Sequence, residues 1–280
     1  MAIKDLLVAY DGNEASEKAL EFALKMGAKY GAVVTGMKVN TPPKFDSHVR
    51  RWMPEDVLKN LAEAQNEASA EVKTKFEAQV AASGFKGETG WIVEQGQPDV
   101  MLARSARFYD LLLIGQFESA FRPEMHRTVD PKELLLRAGK PIIIVPKKYT
   151  VRDFKETAAV AWDGSRFAAR ALTDAMQILE TKKSLDILTS DHTGSSDAVS
   201  RMPGLDLLVH MHRHGVNAKE VKLDGAGKSL SEAILAHCAA TDPDVLVMGA
   251  YGRGRFTSAL FGSTTRTVLE KQNVPVLLSH

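Results

Sequence analysis

Short runs of Val, Ile and Leu alternate along this chain with longer stretches in which apolar residues recur every three to four positions. Runs of that kind suit strands covered on both faces, and the longer stretches suit helices with one buried side, so the pattern predicts βαβ units around a parallel sheet. In the first half, strands are predicted near 3–10, 32–39, 87–93, 110–114 and 141–145, with helices near 13–29, 54–83, 97–107 and 131–138. In the second half, strands are predicted near 157–162, 185–189, 217–223, 244–248 and 275–278, with helices near 165–180, 203–214, 229–240 and 263–272. The long helix from Pro54 carries Val57, Leu61, Ala64, Ala68, Val72, Phe76 and Val80 on one face, read as a core-facing stripe in preference to a partner-facing one.

The two halves share more than their pattern. "YDGNEASEKALEFAL" from Tyr10 and "WDGSRFAARALTDAM" from Trp162 both place Asp-Gly after a β-like run and at the start of a helix. Downstream, "DLLLIG" ends at Gly115 and "DVLVMG" at Gly249, and in each case a proline follows 26 residues later and opens an apolar strand, "PIIIV" or "PVLLS". The chain reads as one unit written twice, with domains at 1–150 and 151–280 joined near "PKKYTVRDFKE". Gly115 stands 104 positions after Asp11, whereas Gly249 stands 86 after Asp163, and the surplus falls mostly in the helix from Pro54.

Composition narrows the function classes. A chain of 280 residues with 44% apolar and 25% charged residues is ordinary for a globular protein, and suits two domains. Thirty-six Lys and Arg against thirty-five Asp and Glu offer no field to attract nucleic acid. No apolar run approaches the roughly 18 to 20 residues of a membrane span, so no membrane partner is expected either. The single cysteine, Cys238, has no internal partner, and the first residues meet an acid too early for a signal peptide, which makes the cytoplasm the expected compartment.

The richest chemistry lies in "VMGAYGRGRFTSALFGSTTRTVL", Val247 to Leu269. In an open α/β sheet ligands bind beyond the carboxyl ends of the strands, where the strand order reverses. Gly249 stands at such an end, and Gly252 and Gly254 allow positive φ or close approach to a ligand. Gly262, Ser263 and Thr264 then open a helix whose first N–H groups lack intrahelical partners, a setting that suits phosphate.

The spacing of Gly249, Gly252 and Gly262-Ser263 resembles the ATP-binding signature of the universal stress protein family. Asp163 fits the adenosine side of that pattern, and the resemblance spans the chain as two tandem domains. It implies, in each domain, a Rossmann-like five-stranded parallel sheet of order 3-2-1-4-5 with helices on both faces. By the same resemblance Ala161 and Asp163 face the adenosine, Leu188 or Thr189 offers backbone to the adenine, and Met248 and Gly249 line the pocket. Gly252, Arg253, Gly262, Ser263 and Thr264 surround the phosphates, and Mg²⁺ arrives with the ATP. Arg253 and Arg255 read equally well as phosphate partners or as solvated charges. "PIIIV" and "PVLLS" each read as an apolar edge strand that invites pairing, so the two halves are expected to pack on each other within one chain as a pseudo-dimer; the resemblance implies the same, since the family commonly dimerises through its last strand. Pairing of whole chains as a homodimer and an unidentified protein partner stay open.

The first half departs from the signature. Glu118 stands where the second half has Gly252, Thr128 where it has Gly262, and Val129 and Asp130 where it has Ser263 and Thr264. A degenerate site is expected there despite Asp11. "DGAGKSL" imitates a phosphate loop with crowded glycines, and is read as a strand-to-helix turn capped by Ser229. His210, His212 and His214 are read as a solvated helix end and not as a metal site. No catalytic constellation stands out, so slow ATP hydrolysis is the most enzymatic activity expected. Two functions are carried forward: an ATP-binding stress-response or signalling module, and a nucleotide-free scaffold.

Overall fold

The computed structural model describes residues 3–41, 53–116, 129, 131–190, 206–223, 229–250 and 262–280. In the first half these form β1 (Asp5–Ala9), α1 (Glu14–Tyr30), β2 (Val33–Asn40), α2 (Glu55–Ser83), β3 (Thr89–Gln95), α3 (Pro98–Ala106), β4 (Leu111–Gly115), α4 (Pro131–Ala138) and β5 (Ile142–Val145). In the second half they form β6 (Thr157–Ala161), α5 (Arg166–Leu179), β7 (Ser184–Thr189), α6 (Leu207–Arg213), β8 (Ala218–Lys222), α7 (Leu230–Thr241), β9 (Val245–Gly249), α8 (Ser263–Lys271) and β10 (Val276–Ser279).

The ten strands run in the order β3-β2-β1-β4-β5-β10-β9-β6-β7-β8, which is the 3-2-1-4-5 order twice, joined at the last strands. All pairings within a half are parallel. The junction is antiparallel, with Val276 opposite Ile144, Leu277 opposite Ile143 and Leu278 opposite Ile142. The two expected five-stranded sheets are therefore one continuous sheet. Each β5-type strand would otherwise leave unpaired N–H and C=O groups at a fully apolar edge, and the other half supplies the missing ladder.

Alternation along each strand divides the interior into two cores, one per sheet face. Leu6 and Val8 of β1 join α1, Phe76 of α2, α5 and Met211 of α6 on one side. Leu7 faces the other way, into α3, α4, α7 and α8. Both cores run through both halves. The helices begin where side chains can supply caps: the Asn13 side chain accepts from the Ser16 N–H at 2.8 Å, and the Ser165 hydroxyl from the Ala168 N–H at 3.2 Å. Ser229 and Glu232 form a reciprocal capping box on α7, so Ser229 has the capping role expected of it, while 224–228 lie outside the described residues.

The stripe on α2 needs correction. Phe76 is buried and Val72 and Val80 pack on the core, but Val57 is 38% exposed and Ala64 and Ala68 are also exposed. The helix is 29 residues long, about 44 Å at 1.5 Å per residue, and only its second part lies over the sheet.

The join between the halves is not a slack tether. Phe22 of α1 meets Tyr149 and Phe154 edge-on, with ring centroids 6.0 and 5.6 Å apart, and Lys25 pairs with Asp153 at 2.7 Å. Arg152 reaches Asp242 and Asp244, at 3.0 Å each. Beneath them, Lys182 meets Asp244 at 2.9 Å with both side chains almost wholly buried. Burial alone would push the Asp244 carboxyl up, but hydrogen bonds from Lys182, the Lys155 N–H and Arg152 outweigh it and hold the group below its ordinary value.

Candidate functional site

The order of the second half reverses between β6 and β9, which are neighbours in the sheet although β7 follows β6 in the chain. Across that switch point the register places Ala161 beside Leu188 on one side and Met248 on the other. Three of the residues singled out from the sequence thus form one row at the carboxyl ends of β7, β6 and β9. Leu188 and Met248 are buried, so Leu188 has only backbone to offer. The Leu188 carbonyl already accepts from the Trp162 N–H at 2.9 Å, and the Thr189 carbonyl from the Leu223 N–H at 2.7 Å. The Thr189 hydroxyl donates to Glu220 at 2.8 Å.

Asp163 follows β6 directly. Its Oδ1 accepts from the Ser165 N–H at 2.9 Å, which shapes the turn into α5, and its Oδ2 has no partner among the described residues. The corresponding Asp11 is spent: Oδ1 accepts from the Asn13 N–H at 3.1 Å and Oδ2 from the Asn13 side-chain amide at 2.9 Å. The aspartate retained in both halves therefore has a free oxygen only in the second.

Helix α8 begins at Gly262 with no side-chain cap, in contrast to α1, α5 and α7. Ser263 and Thr264 form its first turn; Ser263 is exposed and Thr264 half-buried, and the first intrahelical bond runs from the Arg266 N–H to the Gly262 carbonyl at 3.1 Å. The N–H groups of 263 to 265 thus face away from any intrahelical acceptor, the arrangement that attracts an anion. Gly252, Arg253, Gly254 and Arg255 lie outside the described residues, as do Glu118, Thr128 and Asp130 of the first half.

Two glycines at strand ends are required by the helices that cross them. A Cβ on Gly249 would come within 2.7 Å of the Phe167 carbonyl carbon and 2.8 Å of the Ala168 nitrogen, so the strand end is glycine because α5 crosses it. Gly115 meets Ala15 of α1 in the same way, at 2.3 Å from its carbonyl oxygen. Gly262 has φ −58°, available to any residue, so its need for glycine does not come from positive φ.

The end of β2 in the first half is also closed. The Asn40 amide donates to the Ser69 hydroxyl of α2 at 2.7 Å, and that hydroxyl lies 3.0 Å from Oδ1 of the same Asn40, both residues buried. Beside it, burial pushes the Tyr10 phenol up to about 12, with smaller contributions from Glu17 and Asp11.

Of the histidines, His210 and His214 meet edge-on at 4.8 Å between ring centroids, and His214 Nδ1 lies 3.3 Å from Glu180. Among the described residues no three His, Cys, Asp or Glu side chains converge as a metal site would require. Cys238 lies on the buried side of α7, and burial, followed by the Asp186 charge, pushes its thiol up to about 12.

Sequence pattern gave no prominence to the aspartate that opens each repeated sextet. Asp110 Oδ2 accepts the N–H groups of Lys4 and Asp5 at 2.7 and 3.0 Å, and Asp244 accepts those of Lys155, Glu156 and Thr157. Its recurrence in "DLLLIG" and "DVLVMG" was the available signal.

Two tandem Rossmann-like α/β domains, joined through their last strands and open at a β6/β9 switch point, define the class of protein. The sequence model of the universal stress protein family matches residues 2–145 and again 156–280, and the chain belongs to that family. Universal stress protein Slr1230 of Synechocystis sp. is 21% identical, over 98% of this chain and 99% of that protein. Among solved structures, a universal stress protein from Archaeoglobus fulgidus DSM 4304 shares the fold with a TM-score of 0.70 at 20% identity, covering 98% of this chain and 97% of that one. Another, from Pseudomonas aeruginosa UCBPP-PA14, has a TM-score of 0.58 at 17% identity, covering 99% and 93%. No described helix is long and apolar enough to cross a membrane.

Proposed function

We propose that this chain is an ATP-binding stress-response or signalling module of the cytoplasm that holds one ATP in its second domain, 151–280, while the first, 1–150, keeps a degenerate site. The observation that carries the reading is the difference between the two retained aspartates: Asp163 has a free carboxylate oxygen at the switch point, and both oxygens of Asp11 are held by Asn13. The uncapped start of α8 supports it, because N–H groups and the Ser263 hydroxyl suit phosphate oxygens there. The Asn40–Ser69 pair supports the second clause, since in the first domain a side chain of α2 already occupies the corresponding strand end.

In this reading Ala161, Asp163 and the backbone of Leu188 and Thr189 hold the nucleoside, Met248 and Gly249 form the floor, and Gly252, Arg253, Gly262, Ser263 and Thr264 hold the phosphates. Mg²⁺ neutralises phosphate charge when bound, and the free Asp163 oxygen is the hard donor that suits it. No side chain in the described part of this crevice is placed as a base for water, so the role is binding, with slow hydrolysis as its upper limit. The nucleotide-free scaffold draws on one specific observation, that Gly249 is accounted for by helix packing alone.

Titration with Mg-ATP of Asp163→Ala and Asp11→Ala separates the readings. We expect at least tenfold weaker binding for Asp163→Ala, about 1.4 kcal/mol, and little change for Asp11→Ala. Equal effects of the two, or no binding by the unaltered protein, would count against the proposal.

A further inference from the structure

The local two-fold that relates the halves also relates two grooves, and among the described residues only one of them is filled. On one side, the joining segment lies between α1 and the start of β9: Tyr149 and Phe154 pack on Phe22, Asp153 pairs with Lys25, and Arg152 Nη1 donates to Asp244 Oδ1 at 3.0 Å. On the other side, the corresponding groove between α5 and the start of β4 is a space of about 250 Å³, lined among others by Ile3, Asp110, Lys140, Arg170, Asp174 and Gln177. Asp110 is the counterpart of Asp244, Asp174 of Phe22, and Gln177 of Lys25, as the repeated Asp-Gly and Asp-to-Gly frames place them.

The open groove has unmet valences where the filled one has partners. Asp110 Oδ2 accepts two backbone N–H groups, yet Oδ1, the atom corresponding to the one that receives Arg152 in the other half, has no partner among the described residues. Gln177 Oε1 is buried without a partner. Lys140 forms no ion pair within the described residues, while Asp174 Oδ2 accepts from Arg170 Nε at 2.8 Å and from the Ser279 hydroxyl. Two acceptors, Asp110 Oδ1 and Gln177 Oε1, and the Lys140 cation are thus unmet within the described residues. Because Asp174 replaces Phe22, the aromatic anchor of the filled groove has no seat here.

We propose that this second groove binds an extended peptide of a partner protein carrying adjacent basic and acidic residues, as the joining segment carries Arg152 and Asp153. Its arginine donates to Asp110 Oδ1, its acid pairs with Lys140, and a main-chain N–H satisfies Gln177 Oε1. Charge-assisted hydrogen bonds to a partly buried carboxylate favour arginine, whose planar fork fits the carboxylate, over lysine. The site is separate from the crevice at the opposite, carboxyl ends of the strands, so the proposal stands whether or not nucleotide binds there.

The probe is the octapeptide of residues 148–155 carrying Tyr149→Ala and Phe154→Ala, labelled for fluorescence anisotropy against the full chain. Saturable binding is expected, weakened at least tenfold when the peptide also carries Arg152→Gln and at least tenfold by Asp110→Asn in the protein. Asparagine still accepts the Lys4 and Asp5 N–H groups, so the variant is expected to fold. Gln177→Leu, away from that cap, should weaken binding a fewfold, and amide exchange should slow at residues 3–5 and along α5 and not along α1. Absence of binding, undiminished binding with the Arg152→Gln peptide, or free arginine binding as tightly as the peptide would overturn the proposal.

Discussion

Replacing Asp244 with asparagine removes one charge and almost no volume from the most connected polar cluster in the chain. Asp244 is 1% exposed and the Lys182 side chain 2%, so neither gains much from solvent screening. After the change, Lys182 keeps Glu156 at 3.5 Å and the face of the Phe154 ring at 5.0 Å, and Arg152 keeps Asp242. A whole buried ion pair need not stabilise a protein relative to apolar residues, but breaking one by removing a single partner strands the other charge, at about 3–5 kcal/mol. Glu156 remains to offset part of the Lys182 charge, but the single asparagine oxygen cannot serve both the Lys155 N–H and the Glu156 and Thr157 N–H groups, which Asp244 meets with different oxygens, so at least about 3 kcal/mol is the appropriate figure. At roughly 2–4 °C per kcal/mol in a chain of this size, Tm falls by about 6–12 °C. Asp110→Asn is the control: it occupies the same position in the repeat and abandons no buried cation, so it costs only about 1 kcal/mol. Thermal unfolding followed by circular dichroism, with guanidinium titration as a second measure, compares the two. Equal losses in both variants would refute the argument that the buried lysine sets the cost.

The same carboxylate gives a pH dependence. Asp244 and Asp242 both titrate below their ordinary 3.8 in the folded chain, so their stabilisation is complete above that value and is lost as pH falls through the depressed folded values. Guanidinium midpoints should therefore drop below about pH 4, with a shallower drop in Asp244→Asn. Cys238, buried with its thiol pushed up to about 12, should stay unreactive towards a disulfide reagent at pH 8 until the chain unfolds; stoichiometric labelling of native protein would contradict its placement. Gly262→Val should abolish Mg-ATP binding by crowding the start of α8, and Ser263→Ala should weaken it by about 1.5–3 kcal/mol, roughly tenfold to a hundredfold, both read by calorimetry.

The strands were legible because each is a local apolar run, and the duplication because Asp-Gly and the sextets "DLLLIG" and "DVLVMG" recur in register. The joining of two sheets into one followed from the same reading, since "PIIIV" and "PVLLS" are too apolar to stand as bare edges. Contacts between distant positions were not legible. Nothing local separates buried Lys182 from its exposed neighbour Lys183, because the difference lies in Asp244, 62 residues away. The α2 stripe continues in sequence past the point where the sheet beneath it ends, and helical period cannot report where a partner surface stops. Within the candidate site, the row of Ala161, Leu188 and Met248 follows from strand order, which the resemblance implied. The different states of Asp11 and Asp163 do not: they depend on whether the side chain two positions on donates back to the aspartate, as the Asn13 amide does, or is turned to the helix start, as the Ser165 hydroxyl is when it accepts from the Ala168 N–H.

The central claim is one nucleotide per chain, and the stoichiometry of a calorimetric titration of the full chain with Mg-ATP tests it most directly. The account predicts a single saturable site. A stoichiometry of two would show the first domain to be competent despite Asn13 and Ser69, and no heat and no binding at millimolar ATP would contradict the nucleotide reading itself.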